Sequence, residues 1–299
     1  MSAGNIRSAL DGLTVHDAMT KLICYLNWNA SIQQAIRHTI KYKVNSVLIL
    51  DDKGKAIGVV SKTNILGGYY VGLPVTAPLQ AVMVVPPIFC HINDSLDSAL
   101  DVMRQRNVHR LYVIEDQPGR VVGVLAYPDI LGMLYRYCHR CDRSTLRMAG
   151  SGSATGKLSD YFRVRELMNP AFQVHREDES LLQVMDSISV HHSRTILITG
   201  YDDRPQGVVS ITDLILAYMH GVSSGDCAKT IMRTPVLFCD YEEPLLLAVK
   251  KMIFFDLDSL YVCKDEPSNI VGIVTLADVA RVRSGSCRAC KLSRIDLND

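Results

Sequence analysis

The sequence predicts an α/β chain, of the α+β kind, made of four copies of one small unit arranged as two tandem pairs. Two observations carry this. One layout of helices and strands recurs four times, and its landmarks fall at fixed spacings. Gly58 to Gly123 and Gly207 to Gly272 are each 65 positions apart. The first pair maps on the second at 149, and Met19 to Met168 and Met83 to Met232 repeat that interval.

Each copy opens on a short helical start ending in methionine (Met19, Met83, Met168, Met232). An amphipathic helix follows, expected at Ser31–Lys41, Ser95–Arg106, Ser180–Val190 and Pro244–Phe254. Apolar residues recur on it at helical spacing, as at Leu96, Ala99, Leu100 and Met103, which marks a face turned to a core. Ser31, Ser95 and Ser180 suit N-caps. Next come strands at Ser46–Leu50, Leu111–Ile114, Thr195–Ile198 and Leu260–Val262, then a polar turn. A second strand is expected to begin at Gly58, Gly123, Gly207 or Gly272, and a closing helix ends the copy.

The boundaries read as an N-terminal segment at 1–12, repeats at 13–72, 73–137, 163–221 and 222–285, a linker at 138–162 and a tail at 286–299. The linker holds a run of small residues from Met148 to Gly156 with nothing to bury. A copy of some 60 residues buries little alone, so pairing is expected.

Composition bounds the function. Of 299 residues, 48% are hydrophobic and 21% charged, as in a globular protein. The formal charge of +1 gives no global pull toward nucleic acid or an anionic membrane. No apolar run approaches the ~20 residues of a membrane span, and Met1–Leu13 lacks a signal-peptide pattern. The expected compartment is the cytoplasm. No Walker-type lysine loop, HExxH helix or GxSxG elbow is present, so no catalysis is expected.

The corner between second strand and closing helix carries the chemistry. It reads GVVSKTN at 58–64, GVLAYPD at 123–129, GVVSITD at 207–213 and GIVTLAD at 272–278. The glycine permits an unusual backbone angle or a close approach. A hydroxyl at the fourth position can cap the helix or bind phosphate. A carboxylate at the seventh can accept two hydrogen bonds from a ribose diol.

Four such corners in fixed register resemble the CBS-domain family, whose βαββα-type units pair into Bateman modules; two modules would form a disc. The resemblance covers about 270 residues. It implies a regulatory sensor of AMP, ADP, ATP or a related adenosyl ligand, held by the hydroxyl and Asp of each corner. On that basis the repeat 3 corner keeps the full pattern in Ser210, Thr212 and Asp213. Repeat 4 keeps Thr275 and Asp278, with Ala277 between. Repeat 2 keeps Asp129 but has Ala126 for the hydroxyl, and repeat 1 keeps Ser61 and Thr63 but has Asn64. The expected order of competence is third, fourth, second, first. His109-Arg110 before the strand of repeat 2, and Ser193-Arg194 at the matching place in repeat 3, offer cations for phosphate. The His-Arg-Leu form is similar to the phosphate-contacting residues of the gamma subunit of AMP-activated protein kinase.

Two motifs lie outside the corners. Cys138-His-Arg-Cys141 and Cys287-Arg-Ala-Cys290 are offset by the same 149 positions. Brought face to face, Cys138, Cys141, Cys287 and Cys290 would suit zinc or an iron–sulfur cluster. The alternative readings are a redox disulfide within either pair, or inheritance without function. Cys90 and Cys239 read as buried strand residues. The competing function is therefore a metal- or redox-responsive interaction protein. The regulated partner is unnamed by the sequence, and assembly within one chain or in a homodimer stays open.

Overall fold

A computed structural model describes residues 12–115, 120–130, 133 and 163–281 of the chain. Repeat 1 runs through α1 (Val15–Ala18), β1 (Tyr25–Asn27), α2 (Ile32–Lys41), β2 (Ser46–Leu50), β3 (Ala56–Ser61) and α3 (Lys62–Tyr70). Repeat 2 supplies β4 (Phe89–His91), α4 (Leu96–Gln105), β5 (Arg110–Ile114) and β6 (Val121–Ala126). Repeat 3 has β7 (Val174–Arg176), α5 (Leu181–His191), β8 (Thr195–Thr199), β9 (Pro205–Ser210) and α6 (Ile211–Met219). Repeat 4 has β10 (Phe238–Asp240), α7 (Leu245–Phe254), β11 (Ser259–Lys264), β12 (Glu266–Thr275) and α8 (Leu276–Arg281).

Each repeat forms a three-stranded sheet. The first strand is parallel to the second and the second antiparallel to the third. A parallel step needs a crossover, and the amphipathic helix supplies it. The expected helices match within a residue or two. Ser31, Ser95 and Ser180 are their N-caps, accepting bonds from the amides of Gln34 (3.3 Å), Ser98 (3.1 Å) and Gln183 (3.3 Å). The second strands begin upstream of the landmark glycines, at Ala56, Val121, Pro205 and Glu266, so each glycine lies inside its strand.

Those glycines are there for closeness. A Cβ on Gly123 would lie 2.8 Å from Met19 Sδ and 2.9 Å from the Thr20 carbonyl. On Gly207 it would meet the Arg233 carbonyl at 2.9 Å and Met232 at 3.0 Å. Met83 approaches Gly58 and Met168 approaches Gly272 in the same manner. Beside each glycine a two-way backbone bridge joins the segment after the methionine to the strand: Thr20 with Val124, Val84 with Val59, Asn169 with Ile273 and Arg233 with Val208. Every start segment thus seats on the sheet of its neighbour in sequence, which is why glycine and methionine recur together.

The described residues divide into two compact bodies, one of Leu22–Ile88 and Ala171–Val236, the other of the described residues within 12–21, 89–170 and 237–281. In the former, repeats 1 and 3 share one core that includes Ile32, Ile36, Ile65, Leu181, Ile188 and Leu214, all at most 2% exposed. Its helices α3 and α6 meet through Tyr69 and Tyr218, stacked with ring centroids 4.8 Å apart and planes 11° from parallel. The two hydroxyls donate reciprocally, Tyr69 to the Val222 carbonyl at 2.7 Å and Tyr218 to the Leu73 carbonyl at 2.5 Å. Burial pushes the Tyr69 phenol up to about 12.

In the latter body, repeat 4 packs Leu245, Ala248, Met252, Leu260, Val262 and Val274 around Val164 and Cys239. Cys90 and Cys239 are buried strand residues, as expected, and burial pushes both thiols up to about 12. No helix among the described residues is long and apolar enough to cross a membrane.

Candidate functional site

Three of the four corners share one local device, and the repeat 2 corner keeps half of it. The N-cap lies in extended backbone, so its own amide and those of the first helical turn lack helical acceptors. The hydroxyl and the residue three positions on satisfy one another's amides as a capping box. In repeat 3, Asp213 Oδ2 accepts from the Ser210 amide (2.8 Å) and hydroxyl (2.6 Å), while Ser210 Oγ accepts from the Asp213 amide (3.3 Å). In repeat 4, Asp278 Oδ2 accepts from the Thr275 amide (3.1 Å) and hydroxyl (2.6 Å). Asn64 Oδ1 makes the same bonds with Ser61 at 2.8 and 2.6 Å. Where Ala126 replaces the hydroxyl, the Ala126 amide still donates to Asp129 Oδ2 at 2.8 Å.

The caps therefore hold every seventh-position side chain in one orientation. In Asp278 and Asp129 these bonds engage Oδ2, so a diol arriving at Oδ1 would find a carboxylate already aimed. Burial raises the Asp129 carboxyl above its ordinary range, against the opposing pull of the Ala126 amide and the Arg110 charge. Asn64 gains the cap without the charge.

The repeat 3 corner differs. Arg233 Nε lies 3.0 Å from Asp213 Oδ1 and 3.1 Å from Oδ2, and its Nη2 donates to Ser210 Oγ at 3.2 Å. Thr212 Oγ1 accepts from Lys62 Nζ of repeat 1 at 3.0 Å. Ser210 is buried, Thr212 half-buried, and the Asp213 side chain only 9% exposed. Thr63, at the position of Thr212 in repeat 1, is exposed. Sequence reasoning passed over Arg233 and Lys62. The signal for Arg233 was available: the residues after the four landmark methionines are Thr20, Val84, Asn169 and Arg233, and a single one is basic.

Strand register corrects the equivalence of the two arginines. Arg110 faces Ala126, whereas Thr195 faces Ser210. Arg194 thus matches His109, one position earlier. The strand connection is one residue longer in repeat 2 (115–120) than in repeats 1 and 3 (51–55 and 200–204), which shifts the alignment. Arg194 still borders its own corner, because its carbonyl accepts the Ile211 amide at 3.2 Å. His109 is exposed and meets Tyr127 edge-on at 5.7 Å.

Cys138, Cys141, Cys287 and Cys290 lie outside the described residues. Among the described residues, no group of three or more His, Cys, Asp or Glu side chains is gathered for a metal. His175, one of the scattered histidines, ties β7 to α5 by bonds to Glu179 (2.5 Å) and Ser187 (2.7 Å).

Among the findings of comparison with known proteins are one family, one curated relative and two solved structures. The family profile described as CBS domain matches residues 15–70, 79–136, 164–220 and 228–285. The 5'-AMP-activated protein kinase subunit gamma of Kluyveromyces lactis is 36% identical over 102 residues, 31% of this chain and 30% of that protein. The match thus spans less than a third of the curated relative's own length. Among solved structures, a Methanocaldococcus jannaschii protein proposed as an archaeal homologue of that subunit superposes with a TM-score of 0.72 at 17% identity, covering 90% of this chain and 99% of that one. A conserved Pyrococcus horikoshii protein gives 0.58 at 17% identity, covering 91% and 100%. Both are likenesses of fold.

Proposed function

This chain belongs to the CBS-domain family, and on that premise we propose that it is a regulatory protein binding an adenine nucleotide (AMP, ADP or ATP) or a related adenosyl ligand. It catalyses nothing itself. Occupancy of the corners changes how the repeats pack, and a partner protein reads the change. The curated relative is a subunit of a kinase named for activation by AMP, which supports both the ligand class and a protein partner.

The observation that carries this reading is the aimed carboxylate. Asp278 is held by Thr275 through Oδ2, and a ribose diol is a donor pair suited to such an acceptor. Asp129 is held likewise by the Ala126 amide. Thr275 and Asp278 are the primary ribose residues, and Asp213 with Ser210 and Thr212 forms a second site whose carboxylate is already engaged by Arg233. Asp129 with Arg110 and His109 forms a third. Arg194 stands beside the Ser210 corner as a candidate phosphate contact. Ser61, Thr63 and Asn64 form the weakest corner.

Equilibrium dialysis of the full chain with AMP, ADP and ATP tests the reading. Binding that weakens at least tenfold in Asp278→Ala and Asp213→Ala supports it. Affinities unchanged by both substitutions contradict it.

A further inference from the structure

Arg233 occupies the place where a ribose diol would bind Asp213. Its Nε bridges both carboxylate oxygens at 3.0 and 3.1 Å, and its Nη2 takes the Ser210 hydroxyl at 3.2 Å. Asp213 Oδ2 also accepts from the Ser210 amide and hydroxyl. A diol binding this carboxylate competes with the guanidinium for it. The other three corners have no arginine at that position, because Thr20, Val84 and Asn169 stand where repeat 3 has Arg233.

The Arg233 side chain is 57% exposed while that of Asp213 is 9% exposed. The arginine is therefore the member that can move, and an ion pair on an exposed arginine is weak enough to exchange. What decides the exchange is where the released charge goes. A nucleotide brings a phosphate, whose oxygens accept from a guanidinium as well as a carboxylate's do. A nucleoside brings none and leaves the guanidinium with water alone. Lys62 adds a second cation to the same helix start, donating to the Thr212 hydroxyl at 3.0 Å.

We infer that Arg233 is a specificity-determining residue of the repeat 3 corner, which makes it select phosphorylated adenine nucleotides over the free nucleoside. The inference rests on the nucleotide reading above and adds the discrimination. Arg233 acts first as an internal competitor for Asp213 and then as a phosphate partner. Two opposite effects follow when it is removed: the nucleoside binds more tightly, and the nucleotide does not.

The test isolates the corner in the full chain carrying Asp129→Asn and Asp278→Asn. Asn64 shows that asparagine keeps the cap, so Asp213 becomes the sole corner carboxylate. Affinities for AMP and adenosine are then measured by calorimetry with and without Arg233→Met. The expected result is a fall of roughly tenfold in the ratio of AMP to adenosine affinity, with adenosine gaining, and retention of most of the ratio in Arg233→Lys. Added salt should strengthen adenosine binding in the parent and leave the methionine variant unmoved, a response that a structural role for Arg233 does not produce. A ratio unchanged within twofold, while AMP still binds, overturns the inference and leaves the nucleotide reading standing. No AMP binding in the parent, with Asp213→Asn making no difference, removes the nucleotide reading at this corner and the inference with it.

Discussion

Arg233 Nε sits 3.0 Å from Asp213 Oδ1, so the corner with the most complete sequence motif is also the one whose carboxylate is already engaged. Motif completeness and readiness to bind are different properties. Asp278 is oriented by its own cap, with no arginine to displace at the position that Arg233 takes beside Asp213.

Asp278 serves two ends, and two substitutions separate them. Asp278→Ala removes the capping box of α8 and should destabilise the chain by about 1 kcal/mol. Asp278→Asn should keep the cap yet lose nucleotide affinity by roughly tenfold to a hundredfold, since bonds to a charged acceptor contribute ~1.5–3 kcal/mol. Thermal melts and calorimetry on the two variants check this.

Asp129 gives a pH prediction. Its carboxyl is raised by burial, so the folded state holds its proton to higher pH than the unfolded chain does. Stability is then lost as pH rises from the ordinary Asp range through the raised value, and ionised Asp129 works against folding at neutral pH. Asp129→Asn should melt higher than the parent at pH 7, and the difference should shrink as pH falls below the ordinary range. A parent that melts higher at pH 7 contradicts this.

Two glycines in one body should respond oppositely. Gly207→Ala puts a Cβ 2.9 Å from the Arg233 carbonyl, and overpacking of that kind costs about 1–3 kcal/mol. Gly67 lies inside α3, and a Cβ added there would meet nothing within 4 Å. Gly67→Ala should therefore stabilise by ~0.5–1 kcal/mol through helix propensity. Denaturant titration of both variants gives the signs.

Tyr69 and Tyr218 should couple. A double-mutant cycle with leucine at both positions should return about 0.5–1.5 kcal/mol for the stacked pair. Each single Tyr→Phe change should cost about 1 kcal/mol for its lost bond to Leu73 or Val222. Additive single effects would show that the stack contributes only area.

Much of this was legible in the sequence because it is local and repeated. The Ser31, Ser95 and Ser180 caps, the apolar helix faces and the corner motifs are short-range patterns, and four copies at one spacing reinforced them. Strands β1, β4, β7 and β10 are three residues each, too short for alternation to announce them. The seating of Met19 on Gly123 and Met232 on Gly207 is tertiary, although both partners stood out as landmarks. Arg233 was missed because its meaning depends on a bridge to Val208, which brings residue 233 beside residue 213. Lys62 was missed for a similar reason: its partner Thr212 lies 150 positions away.

Native mass spectrometry of the full chain with added AMP, compared with the Asp213→Ala/Asp278→Ala double variant, tests the central claim most directly. The account predicts bound nucleotide on the parent and loss of the Asp213- and Asp278-dependent copies in the variant. A parent that carries no nucleotide at millimolar AMP, or a variant that carries the same number as the parent, would contradict it.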